Sequence, residues 1–182
     1  MRNETAGFLR ALGTPNPLVA WVFRRFLGVD AGIRAAYRDG PRHITGRAAL
    51  IEAAWTDWIA RIPTIRLVEA RSAPSWLYEF RWENPRRSAG LGAAHATDNP
   101  FVRDDLDAVL AFGERGELMV GPNPPAELAA RMHATWIRFA TTGDPGWPAY
   151  DTETRQTMVF DTTSELIPDA ASPEREAWAR RR

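Results

Sequence analysis

His95 lies in a stretch of small residues, Gly90-Leu91-Gly92-Ala93-Ala94-His95-Ala96-Thr97-Asp98-Asn99-Pro100-Phe101-Val102. An imidazole exchanges protons near neutral pH, and with so little side-chain bulk beside it a substrate can approach the ring. The same pattern suits a histidine on an ordinary surface loop, and the local residues leave both readings open. Asp98, Asp104, Asp105 and Asp107 follow closely. They lack the spacing of a calcium loop and have no second histidine nearby, so solvation is expected of them, not metal binding. Asp57 stands between Trp55 and Trp58, and helical periodicity makes it a solvated helix residue. His133 lies beside an apolar stripe and reads as structural. The chain has no cysteine, which excludes disulfides, thiolate nucleophiles and cysteine-based zinc sites.

Several elements must hold these groups. Asn16-Pro17 is a cap followed by proline at a first helical position, and the helix it opens runs through Trp21, Phe23 and Phe26 to a stop at Gly28. Asp30 caps a shorter helix carrying Ile33 and Tyr37, and Gly40-Pro41 breaks the chain. Thr45 is the expected cap of the next helix. Its apolar positions Leu50, Ile51, Ala54, Trp55, Trp58, Ile59 and Ile62 approach a 3.6 period. Pro63 restarts that helix, which continues to about Ala70. The alternating, aromatic-rich Leu77 to Trp82 predicts a strand just upstream of the histidine loop. Beyond the loop, Phe101 to Leu106 reads as a short helical turn or irregular segment. Asn123-Pro124 opens a long helix with the stripe Leu128, Met132, Trp136 and Phe139, which ends at Gly143-Asp144-Pro145-Gly146. Thr157 to Asp161 is a short strand, and Pro173 to Arg182 a terminal amphipathic helix carrying Trp178.

The 182 residues suit one domain or part of a larger one. Charge is balanced, 23 basic against 23 acidic residues, which argues against a nucleic-acid partner. Every basic residue other than histidine is arginine, scattered along the chain. No run of about 18 apolar residues predicts a membrane-spanning helix. No basic segment followed by an apolar core marks a signal peptide, and the compartment stays open. Helices, strand, histidine loop, long helix, short strand and helix, in that order, fit the later part of an α/β or α+β domain.

Three segments together resemble the type-B carboxylesterases, the family of bacterial para-nitrobenzyl esterases and cholinesterases. The strand Leu77-Tyr78-Glu79-Phe80-Arg81-Trp82 and the loop Gly92 to Val102 are similar to that family's strand and catalytic-histidine loop, with Asp98 where the family usually has glutamate. Trp136-Ile137-Arg138-Phe139-Ala140-Thr141-Thr142-Gly143-Asp144-Pro145, with Trp147-Pro148-Ala149-Tyr150, resembles its C-terminal signature. Arg2-Asn3-Glu4-Thr5-Ala6-Gly7-Phe8-Leu9 resembles its acid motif, an Asp-Glu-Gly run followed by Phe, with Asn3 replacing the aspartate and Thr5 the glycine.

The resemblance implies the C-terminal part of an α/β-hydrolase fold, mostly helical with two or three strands. It implies a serine esterase in which His95 is the general base and Glu4 the acid that orients it. Glu4 precedes His95, as the order nucleophile, acid, histidine requires. The substrate would be a small carboxylic ester, with no cofactor and no metal. Ser72, Ser75, Ser88, Ser164 and Ser172 all follow Glu4, and none lies in Gly-x-Ser-x-Gly. The nucleophile is therefore expected on an N-terminal part outside this chain, which would also be its partner. Trp21, Phe23 and Phe26 would line a substrate pocket in that assembly or pack in a core. The alternative is an inactive esterase remnant or a non-enzymatic binding module, to which the departures at Asn3, Thr5 and Asp98 give weight.

Overall fold

The structure, a computed structural model, describes residues 17–87, 93, 96–169 and 172–180. They fall into two compact units. One comprises the described residues of Arg2–Ser72 and Asp169–Arg182, and the other Ala73–Pro168.

Sequence signals set several helix ends. Helix α1 (Pro17–Leu27) stops at Gly28, whose φ of 72° is the left-handed conformation that glycine adopts without strain. Helix α2 (Ala31–Asp39) is capped by Asp30, whose Oδ1 accepts from the Ile33 amide at 2.9 Å. Helix α3 (Arg47–Thr56) is preceded by Gly46, at φ 88°, and not by a capping Thr45. It passes without a break through a π-helical turn (Asp57–Arg61) into α4 (Ile62–Ala70). Pro63 has no amide hydrogen to donate, and its ring crowds the carbonyl four residues back. The widened turn just ahead of it, where the Ile62 amide donates to the Asp57 carbonyl, accommodates that misfit within a continuous helix.

In the second unit β1 (Tyr78–Phe80) leads through a 3₁₀ turn (Pro85–Arg87) to the histidine loop. Three short helices follow: α5 (Asn99–Arg103), α6 (Leu106–Leu110) and α7 (Glu114–Val120). The long helix α8 (Ala126–Thr142) is capped at Pro125, two residues after the expected Asn123, and ends at Gly143, at φ 76°. Strands β2 (Thr157–Phe160) and β3 (Glu165–Ile167) complete a three-stranded sheet of order β1-β2-β3. β1 and β2 run parallel with Tyr78 opposite Met158, and β2 and β3 run antiparallel with Thr157 opposite Ile167. Helix α9 (Ser172–Ala179) returns to the first unit.

Each unit has its own core. Leu27, Ile33, Tyr37, Ala54, Ile62 and Trp178 are buried together in the helical unit. Phe80, Trp82, Phe101, Leu128, Met132 and Phe160 are buried together in the sheet-containing one. Among the described residues no helix is long and apolar enough to cross a membrane.

Candidate functional site

Glu4 and His95 both lie outside the described residues. The structure instead gives the frame on either side of His95. Ala93 is buried in the aromatic core with Phe80, Trp82 and Phe101. Its small side chain therefore serves packing. Ala96, which directly follows the histidine in sequence, has φ 59°. That left-handed backbone is uncommon for a residue with a Cβ, and such strain gathers at functional sites. The Ala96 carbonyl accepts from the Asn99 amide at 3.3 Å, and the Asp98 carbonyl from the Val102 amide at 2.9 Å. The loop thus runs directly into α5.

Helix α5 is locked into the core. Phe101 is fully buried, its ring 5.1 Å from those of both Phe80 and Trp82. His133 on α8 places Nδ1 2.9 Å from the Val102 carbonyl oxygen. A carbonyl only accepts, so that nitrogen carries the proton and donates. The structural role expected of His133 is thereby specified: it ties α8 to α5. Asp98 is not a purely solvated carboxylate. Its Oδ2 accepts from the Tyr78 hydroxyl at 2.9 Å, which joins β1 to the loop across the position of the histidine in the sequence. Burial, then the negative charge of Asp98, pushes the Tyr78 phenol well above its ordinary value and keeps it a donor.

The helical unit holds a group of charges that periodicity misses. Asp57 is fully buried and not solvated. From Ile51 to Ala54, and at Thr56 and Asp57, the helix is enclosed on all sides, so there is no polar face at that level to carry it. Its carboxylate accepts from Tyr37 Oη at 2.7 Å and from both terminal nitrogens of Arg42, at 3.3 and 2.5 Å. Arg42 Nε donates to Glu174 Oε1 at 2.9 Å, and Trp178 Nε1 donates to Tyr37 Oη at 2.9 Å. The guanidinium also lies 5.0 Å from the centre of the Tyr37 ring. Burial and the charge of Asp57 hold the Tyr37 phenol strongly protonated. Burial opposes the charge on Arg42, but Asp57 and Glu174 outweigh it and raise its affinity for the proton. The signal in the sequence was Gly40-Pro41, which turns the chain and delivers Arg42 to this point. A Cβ on Gly40 would fall 2.4 Å from the Ala36 carbonyl oxygen and 3.3 Å from the Glu174 carboxyl.

Among the described residues no three acidic or histidine side chains gather as metal ligands. Trp21 and Phe26 are exposed, so neither packs in a core within these residues. Phe26 lies 5.7 Å from Trp58. The Phe23 side chain lies outside the described residues.

The parallel pair of strands, the histidine loop after the first of them and the helix anchoring that loop define a part of an α/β-hydrolase fold. The comparisons agree. The chain is 33% identical over 128 residues to the para-nitrobenzyl esterase of Bacillus subtilis, a match covering 66% of this chain and 25% of that protein. It is 29% identical over 112 residues to the phenmedipham hydrolase of Pseudarthrobacter oxydans, of which it covers 22%. Among solved structures, a carboxylesterase of Geobacillus stearothermophilus superposes with a TM-score of 0.76 at 26% identity, over 96% of this chain and 38% of that one. A thermophilic para-nitrobenzyl esterase superposes with a TM-score of 0.64 at 25% identity, over 90% of this chain and 33% of that one. No family model matches the chain. By sequence and fold together the chain is type-B carboxylesterase-like, and it spans about a quarter of the length of the curated relatives it matches.

Proposed function

We propose that this chain is the C-terminal portion of a carboxylesterase domain and supplies the histidine and the acid of a serine–histidine–glutamate site. The match to para-nitrobenzyl esterase carries the reading, and the anchored frame around His95, with left-handed Ala96 beside it, supports it. The substrate is a small carboxylic ester. A serine on the part of the domain outside this chain attacks the ester carbonyl. His95 takes the hydroxyl proton and returns it to the leaving alcohol, and water then releases the acid from the acyl-serine. Glu4 holds the imidazole tautomer and stabilises the imidazolium. The departure at Asp98 has a role in this scheme, since its carboxylate fixes the loop to Tyr78 on β1.

The test is p-nitrophenyl acetate hydrolysis by this chain coexpressed with the part of the Geobacillus carboxylesterase that it does not match. Turnover is expected, and His95→Ala is expected to lower kcat by about 10⁴-fold or more. A complex that forms without turnover, or turnover that survives His95→Ala, removes the hydrolase assignment.

A further inference from the structure

The contacts that seat helix α9 reach far back along the chain. Arg42 Nε donates to Glu174 Oε1 and the Trp178 indole donates to Tyr37, partners 132 and 141 positions away. Arg66 on α4 donates to the Trp178 carbonyl at 3.2 Å. The Trp178 ring is buried with Leu27, Ile33 and Ile62. Eight residues are too few for a helix that stands alone in water, so α9 owes its order to this seat. None of these contacts involves the segment that ties α9 to β3.

That segment is a tight turn. Only Pro168 to Ala171 separate Ile167 at the end of β3 from Ser172 at the start of α9. The chain passes from the sheet-containing unit to the helical one between Pro168 and Asp169. Asp169 has φ 37°, a left-handed backbone that strains a residue with a Cβ, aspartate less than most. Two contacts hold it there. The Ser172 amide donates to the Asp169 carbonyl at 3.0 Å. Arg175, early in α9, grips the Asp169 carboxylate through Nε and a terminal nitrogen, at 2.8 and 2.7 Å. Straightening the turn gives up both contacts, relieves the backbone and carries α9 off its own seat. Pro168 and Pro173 bracket the turn. Each disfavours helical backbone in the residue before it, so the opened segment extends.

We infer that α9 is exchanged between two copies of this chain. With the turn at Asp169 opened, the α9 of each copy occupies the seat of the other. Glu174 and Trp178 of one copy then complete the buried group of Tyr37, Arg42 and Asp57 in the other. The occupant is a second copy because the seat is shaped for α9 itself: a guanidinium that donates to a glutamate, and a buried phenol oxygen that receives an indole N–H. Exchange of an identical terminal element re-forms every seat contact, and a short strained hinge favours it. A tether this short gives α9 an effective concentration in the millimolar range at its own seat, so exchange is expected at chain concentrations of about 0.1–1 mM.

Size-exclusion chromatography with light scattering on the full chain at about 1 mM is expected to show a dimer that falls apart on dilution. Isotope-filtered NMR on the dimer, refolded from equal amounts of carbon-13-labelled and unlabelled chain, is expected to show the Trp178 indole of one copy against the Tyr37 ring of the other. Arg175→Gln removes the grip on Asp169 and is expected to raise the association constant about fivefold. Adding Asp169→Gly, which accepts the left-handed turn without strain, is expected to bring it back down by a similar factor. A native chain and an Arg175→Gln variant that both form no dimer at about 1 mM, whether they stay monomeric or aggregate, overturn the inference. So does a dimer in which Trp178 touches only the Tyr37 of its own copy, which is association through exposed apolar surface. A double variant that dimerises as strongly as Arg175→Gln overturns it as well, since the turn then does not govern the exchange.

Discussion

Replacing Arg42 with alanine leaves two carboxylates, Asp57 and Glu174, at 0% and 1% exposure without their shared cation. Asp57 keeps the Tyr37 hydroxyl. Glu174 loses the Nε donor at Oε1, while its Oε2 is already buried with no hydrogen-bond partner among the described residues. Breaking a buried ion pair from one side costs about 3–5 kcal/mol. That is a large share of the roughly 5–15 kcal/mol that holds a domain folded. With a urea slope of about 2 kcal/mol/M, a loss of about 4 kcal/mol lowers the unfolding midpoint by about 2 M.

Urea unfolding read by tryptophan fluorescence and far-UV circular dichroism measures this directly, since Trp178 belongs to the group. The triple variant Arg42→Met, Asp57→Asn, Glu174→Gln separates the worth of the group from the cost of a stranded charge. It removes every formal charge at nearly constant volume, so it should recover at least about half of the lost stability. A midpoint shift under about 0.5 M for Arg42→Ala, or a triple variant as unstable as the single one, would refute the account of buried, mutually compensated charge.

Two further outcomes follow from the tyrosines. Tyr78→Phe removes the hydrogen bond to Asp98, a half-buried contact worth about 1 kcal/mol. Thermal unfolding should show that loss, and exchange at Asn99 and Val102 should quicken as α5 loosens; unchanged exchange there would break the proposed link between β1 and the loop. Both Tyr37 and Tyr78 have folded-state pKa values raised above the unfolded value of about 10, so their contribution is complete below pH about 10 and lost as pH rises beyond it. The chain has no lysine and no cysteine, so no other side-chain type titrates near that window. Stability should fall by up to about 1.4 kcal/mol per pH unit for each of the two phenols, and a flat urea midpoint from pH about 9.5 to 11.5 would contradict their burial.

What was legible in the sequence was mostly local. Gly28, Asp30 and Gly143 mark helix ends by their own backbone or side-chain chemistry, and β1 announced itself by aromatic alternation. The π-helical turn did not. Pro63 predicts a restart because a proline removes one donor, but the chain absorbs the loss with an Ile62-to-Asp57 bond and keeps the helix whole. β3 is three residues long, too short for any alternation to stand out. Helices α6 and α7 are five and seven residues and carry no caps from side chains.

Asp57 and Asp98 show why residue type and spacing leave the charged sites undecided. Both are expected in water, Asp57 from helical periodicity and Asp98 because it lacks the spacing of a metal site. Asp57 is buried because an arginine fifteen positions earlier, a tyrosine twenty positions earlier and, through that arginine, a glutamate near the far end of the chain converge on it. Asp98 is held by a tyrosine twenty positions back on β1. No window of sequence contains those partners, so periodicity can only assign each aspartate by default to water. The histidine loop obeys the same logic. Its small residues suggested an approachable ring, yet Ala93 is small because it packs against Phe80, Trp82 and Phe101. The support for a catalytic His95 therefore comes less from the loop's composition than from what grips it on both sides: a core residue before the histidine, and after it a left-handed Ala96 leading into a helix fastened by Tyr78, Phe101 and His133.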